Sequence, residues 1–149
     1  MMEITKYRIE LVRENSKLYD IANDKATTPE SVYEIIKDRF NISSLAEEIF
    51  GILCLDTKNN IVGTFQVSHG NLDGCTVHPR EIFKRAMLVN SASIILFHNH
   101  PSGEPEPSKE DKNVTNRLIE AGKILGIRIL DHIIACDSYF LSFKEHGYC

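Results

Sequence analysis

The stretch Phe97–Asp111 reads FHNHPSGEPEPSKED and concentrates side chains that can hold a metal ion. His98 and His100 stand two residues apart at the end of the apolar run SIILF. In an extended chain, residues i and i+2 point to the same face, so both imidazoles can converge on one ion. A catalytic metal centre uses three protein ligands and keeps a position for water. Asp111 is the best third candidate in this stretch. Pro101, Gly103, Pro105 and Pro107 force a stiff excursion out of the strand. Ser108 then restarts regular structure as a helix N-cap. Asp111 falls in the first helical turn, which can face back toward the histidines. Each piece also has a plainer account. Ser108-x-x-Asp111 resembles a capping box, with Asp in place of the usual Glu or Gln. The helix dipole favours an acid in a first turn in any protein. The combination, two histidines on a strand and an aspartate on the next helix, tips the reading to a metal site.

Metal-assisted hydrolysis also needs a general base to take a proton from water. Glu47 and Glu48 stand immediately before the apolar run IFGILCLD. A carboxylate there reaches the site if that run neighbours SIILF in a sheet. Residue types alone do not choose between the two. The plainer account is a solvated pair of acids at the end of a short helix.

The elements that must position these groups follow from periodicity. Tyr7, Ile9 and Leu11 alternate with Arg8 and Glu10, which predicts a strand with one apolar face. NDKATTP (23–29) is a polar loop. Thr28 and Pro29 then open a helix whose apolar stripe is Val32, Ile35, Ile36 and Phe40. IFGILCLD and IVGTFQVS, joined by the turn TKNN, predict a hairpin. HGNLDG (69–74) is a loop, and His78-Pro79 begins a second helix with Ile82, Phe83, Ala86 and Met87 on one face. SIILF is a short buried strand. The helix after Ser108 carries Val114, Leu118, Ala121 and Leu125 on one side, and Gly126 is placed to end it. IRILDHIIA is a further strand and YFLSF a short last one. No internal repeat or long linker appears. The alternation fits an α/β or α+β unit, with residues 1–45 as a strand-helix extension packed on a core of 46–149.

Composition narrows the function classes. The 149 residues are 42% hydrophobic and 26% charged, an ordinary globular balance. The net charge of −4 gives no support to the basic face of a nucleic-acid binder. Cys54, Cys75, Cys136 and Cys149 form no CxxC pair, which argues against a zinc ribbon or a thioredoxin-like motif. Cys54 and Cys136 read as small buried hydrophobes. The N-terminus lacks an apolar signal region, and no run approaches a membrane span. The expected setting is the cytoplasm, with reduced thiols and no membrane contact.

The spacing His98-x-His100, seven residues, Ser108, two residues, Asp111 matches the JAMM metalloprotease motif H-x-H-x7-S-x2-D. With VHPREIFKRA and LGIRILDHII, the stretch resembles the JAMM domain of RadC-type proteins from about Ala46 to the C-terminus. The resemblance implies an α/β (α+β) fold of the JAMM/cytidine-deaminase-like type, a central mixed β-sheet with flanking helices. It implies one zinc ion per chain held by His98, His100 and Asp111. Glu48, in EIF, matches the family's general base, and Ser108 matches the serine that stabilises the tetrahedral intermediate. The implied reaction is hydrolysis of a peptide or isopeptide bond in a peptide or protein substrate. The implied alternative is a repair-associated, DNA-binding protein without peptidase activity. The helix-hairpin-helix domain usual in RadC-type proteins is absent from the chain, so the expected form is the short stand-alone one. A homodimer is compatible with the sequence, which leaves oligomeric state open.

An HNH nuclease spreads its signature over a ββα unit, so the triplet His98-Asn99-His100 shares only letters with it. Asn99, usual in the RadC branch, reads as a spacer between two ligands. His78 and Arg80 fit either a substrate groove or a helix start. Asp131 and His132 fit a pair that orients a metal ligand, and fit better a satisfied polar pair inside a strand. His69 and His146 carry no assigned role.

Overall fold

Two apolar runs form the centre of the molecule. In the computed structural model, which describes residues 1–17, 28–70 and 77–149, β1 (Ile49–Leu55) and β3 (Ser93–Asn99) are buried along their whole length. That is the behaviour of strands covered on both faces. They pair antiparallel with Phe50 opposite His98. β2 (Ile61–His69) folds back on β1 as the expected hairpin. β4 (Arg128–Ala135) runs parallel to β3, and β5 (Phe140–Ser142) closes the far edge antiparallel. The sheet order is β2-β1-β3-β4-β5. A parallel neighbour requires a crossover, and the long helix between β3 and β4 supplies it.

Strand alternation divides the core into two layers. Leu53, Leu55, Ile95, Phe97, Ile133 and Ala135 meet α1 (Pro29–Arg39) through Val32, Tyr33, Ile35 and Ile36. Ile52, Cys54, Ile94 and Leu96 face the other way. There they meet α2 (Pro79–Leu88) and α3 (Lys109–Leu125) through Ile82, Phe83, Ala86 and Leu118. Thr28 caps α1, its hydroxyl accepting from the Ser31 N–H at 3.2 Å. Gly126, at φ +73°, ends α3 in the left-handed conformation a helix C-terminus favours. The mixed sheet with helices on both faces is the architecture expected from the sequence. Among the described residues no helix is long and apolar enough to cross a membrane.

The expected N-terminal strand is not there. Residues 1–17 adopt no regular structure, and Tyr7, Ile9 and Leu11 are exposed. An alternating segment becomes a strand only when a neighbour accepts its ladder, and none of the five strands pairs with it. The loops expected at 23–29 and 69–74 fall mostly outside the described residues.

Gly51 marks the tightest point of the sheet. A Cβ there would lie 2.3 Å from the Phe97 ring and 2.7 Å from the Phe65 carbonyl oxygen, beside the irregularity between Phe50 and Gly51. The carbonyl belongs to the paired strand and cannot move aside. Gly51→Ala is expected to destabilise the fold by about 2 kcal/mol or more, at the upper end of overpacking costs. Urea unfolding of the two proteins measures it, and equal midpoints would contradict the packing argument.

Candidate functional site

β3 delivers its last residues to the edge of the inner layer. His98 lies on the same face as Ile94 and Leu96 and is fully buried. The Phe50 ring stacks on it at 5.9 Å between centroids and 9° between planes. His100 follows just past the strand, and its backbone N–H still donates to the Ala135 carbonyl of β4 at 3.0 Å. The two imidazoles therefore keep the i, i+2 relation. Their Nε2 atoms are 2.9 Å apart.

The proline-rich excursion closes on these rings. Gly103 N–H donates to the His100 carbonyl at 3.0 Å, making a turn at positive φ. The chain then returns so that the Glu104 carbonyl lies 2.6 Å from His100 Nδ1. A carbonyl only accepts, so Nδ1 carries the hydrogen and Nε2 of a neutral His100 presents its lone pair to the site. Ser108 then caps α3, its Oγ accepting from the Asp111 N–H at 3.1 Å. Asp111 Oδ2 returns the bond by accepting from the Ser108 N–H at 2.8 Å. The capping box is thus present with aspartate in the acidic place.

The same carboxylate also completes the site. Asp111 Oδ1 is 3.4 Å from His98 Nε2, and Oδ2 is 3.5 Å from His100 Nε2. The capping reading of Asp111 is realised, and the same side chain also lies beside both imidazoles. His98, His100 and Asp111 offer one donor atom each within 4.8 Å of one another, a group that could hold a metal ion. Two neutral nitrogens and one carboxylate oxygen suit zinc and similar transition ions. Burial opposes ionisation of Asp111, but the adjacent His100 and His98 rings and the Ser108 N–H outweigh it. The carboxyl stays well below the usual carboxylate range. Burial lowers the pKa of His100. The nearby Asp111 carboxylate, the bond to the Glu104 carbonyl and the charge of Glu48 reverse the direction and raise it.

The two glutamates separate. Glu48 precedes β1, two residues before Phe50, and continuing the Phe50–His98 register places it opposite His100. Its charge is felt by His100. Glu47 turns its carboxylate to His69, 3.2 Å away on the surface. Strand alternation thus puts Glu48, not Glu47, on the face of the histidines. Ser108 is exposed, and its hydroxyl hydrogen is not used by the cap, in which the oxygen accepts.

Asn99 is more than a spacer. It points to the opposite face of β3, where its Oδ1 accepts from the Ile49 N–H at 2.6 Å and its Nδ2 donates to the Glu47 carbonyl at 3.1 Å. One amide straddles Glu48 and satisfies a backbone group on either side of it. The ladder between β1 and β3 ends at Phe50–His98, and this side chain continues it. Sequence reasoning missed the role, since a short polar residue between two ligands looks like filler. The signal was that an interior face must either exclude an amide or satisfy it.

His132 was also undervalued. Its Nε2 lies 2.7 Å from His98 Nδ1, and its Nδ1 lies 2.6 Å from the Thr115 hydroxyl on α3. Burial pushes its pKa well below the ordinary value and keeps it neutral. Asp131, by contrast, is a satisfied structural group. It accepts from the Ser142 hydroxyl at 2.6 Å and from the Lys144 N–H at 3.0 Å, tying β4 to the C-terminal segment. His78 caps α2, its Nδ1 accepting from the Arg80 N–H at 3.1 Å, which realises the helix-start reading. Cys54 is buried, and its thiol is pushed up to about 12, as suits a core hydrophobe.

Replacing Asn99 tests the amide clamp. Asn99→Ala leaves the Ile49 N–H and Glu47 carbonyl unpaired and is expected to cost about 1–3 kcal/mol for each group that stays dry. Asn99→Asp keeps the acceptor, loses the donor and buries a charge, so it is expected to be no better than alanine. Urea denaturation of both variants checks this. An aspartate variant as stable as wild type would remove the donor from the account.

Comparison with known proteins agrees with this geometry. The family model described as the RadC-like JAB domain matches residues 26–148. A UPF0758 protein of Methanococcoides burtonii is 47% identical over 139 residues, which is 93% of this chain and 60% of that protein. UPF0758 proteins of Alkaliphilus oremlandii and Clostridium beijerinckii are each 46% identical over 93% of this chain, covering 59% and 60% of their own lengths. The chain thus spans about 60% of the length of the curated relatives it matches. On a family match over most of its length and identities near one half, the chain belongs to the RadC-like JAB domain family.

Proposed function

We propose that this protein is a zinc-dependent metallohydrolase that cleaves a peptide or isopeptide bond with an activated water. The chemistry is assigned to residues 46–149, with 1–45 as an attached extension. The observation that carries the reading is the convergence of His98, His100 and Asp111 on one point, with Glu48 on the same face of the sheet. These three residues would hold the ion. When bound, zinc supplies a Lewis acid that polarises a carbonyl and makes water acidic enough to ionise near neutral pH.

The remaining work falls to the chain's own side chains. Glu48 takes a proton from the attacking water and later delivers it to the leaving amine. Its place is fixed by backbone bonds on both sides, including its own carbonyl, which accepts from the Gly70 N–H at 2.8 Å. Ser108 donates its unused hydroxyl hydrogen to the oxyanion that develops on the scissile carbonyl. The cap fixes the oxygen of that hydroxyl without consuming its hydrogen, so capping and catalysis share one side chain. Phe50 walls the site beside His98 and keeps the local dielectric low. The substrate in this reading is a peptide or protein segment.

Metal analysis of protein purified without added zinc is expected to give close to one ion per chain, lost in His98→Ala. Metal retained by that variant would remove this ligand set. Glu48→Gln is expected to keep the metal and lose hydrolysis of peptide or isopeptide test substrates by a factor of about 100 or more. Turnover by Glu48→Gln at the wild-type rate would withdraw the general-base role.

A further inference from the structure

Two of the three candidate donor residues, His98 and Asp111, are joined by a second chain of hydrogen bonds that runs inward from the site. His98 Nδ1 contacts His132 Nε2 at 2.7 Å, His132 Nδ1 contacts the Thr115 hydroxyl at 2.6 Å, and that hydroxyl contacts the Asp111 carbonyl at 2.7 Å. Both His132 and Thr115 are fully buried, so water does not share these bonds.

Hydrogen positions along the chain are forced. The Asp111 carbonyl can only accept, so Thr115 spends its single hydroxyl hydrogen there. Thr115 then has only a lone pair for His132, whose Nδ1 must carry a hydrogen. Neutral His132, enclosed by the Phe50 and Phe143 rings, therefore presents a lone pair at Nε2. His98 must donate to that lone pair from Nδ1. A neutral His98 with its hydrogen on Nδ1 has a free lone pair on Nε2, the atom facing His100 and Asp111. The opposite tautomer would aim an N–H at the place an ion would take.

We propose that Thr115 and His132 are positioning residues that preset His98 as an Nε2 donor, so that Thr115 tunes metal affinity without contacting a donor atom. The inference rests on the metal-site reading above. The helix supplies a fixed acceptor, the Asp111 carbonyl, in the same residue whose carboxylate is the third candidate ligand. One turn of α3 therefore sets both the anionic donor and the tautomer of a histidine on β3. His100 is preset by a separate device, the Glu104 carbonyl. The two rings thus receive the same instruction from opposite sides.

The test uses zinc and cobalt binding by competition with a chromophoric chelator, together with ¹⁵N–¹H NMR of the histidine rings in metal-free protein. Thr115→Val keeps the shape and removes the hydroxyl. It is expected to weaken both metals about tenfold or more, the range for partners that orient a ligand. It should also turn the single His98 tautomer into a mixture. Thr115→Ser, which keeps the hydroxyl, should restore wild-type affinity. His132→Gln removes the imidazole that links Thr115 to His98, so adding Thr115→Val to it should cost nothing further. Equal affinity in Thr115→Val and wild type, or the same loss with and without His132→Gln, would overturn the proposal in favour of plain packing. The two readings fail differently. A wild type that binds neither metal sinks the metal site even if NMR shows the preset tautomer. A wild type that binds zinc through a freely exchanging His98 sinks only the relay.

Discussion

The structure turns on one carboxylate with two obligations. Asp111 closes the first turn of α3 by accepting from the Ser108 N–H, and it faces the Nε2 atoms of His98 and His100. A buried anion is tolerated only when it is bonded and compensated. Here the helix supplies the bond, and both imidazoles stand within 3.5 Å of the carboxylate. The cap fixes the aspartate to the helix, and the histidines fix the helix start to the end of β3. The crossover through α3 then lets β4 lie parallel to β3.

The sheet explains why the groups meet where they do. β3 ends at the site, and β1, being antiparallel, begins there. A residue just before β1 and a residue just after β3 are therefore neighbours across the ladder. The crossover helix also starts from the end of β3. One edge of the sheet thus collects a strand end, a strand start and a helix N-terminus, which carry respectively the imidazoles, a carboxylate and a second carboxylate. The apolar layers beneath, with Phe50 against His98 and Phe143 against His132, keep water from these bonds.

Much of this was legible from residue order because it is local. The i, i+2 histidines, the Ser108 cap and the Gly126 stop depend on a few consecutive residues and on backbone geometry. What failed or was missed depends on pairing. The alternation of Tyr7, Ile9 and Leu11 is real, but no strand of this sheet accepts it. The choice between Glu47 and Glu48 needed the β1–β3 register, and before that it rested on resemblance alone. Asn99 and His132 were read as filler and as a self-contained polar pair. Their partners, Ile49, Glu47, His98 and Thr115, lie on other elements, and a buried polar side chain does not announce which distant group will satisfy it.

The two faces of β3 give the triplet His98-Asn99-His100 a meaning beyond its chemistry. Residues 94, 96 and 98 look toward α2 and α3, and 95, 97 and 99 look toward α1. A slip of one residue would exchange those duties. Asn99 would turn away from the Ile49 N–H and the Glu47 carbonyl that satisfy its amide, and the histidines would enter an apolar layer with no acceptor waiting. An aliphatic strand has little to distinguish adjacent registers, since its hydrophobes pack tolerably either way. The alternation of imidazole and amide makes the wrong alignment costly on both faces at once. The triplet is therefore a registration mark as well as the source of two candidate donors. Length changes of a single residue in β3 belong among the least tolerated alterations of this fold, whatever they do to the chemistry.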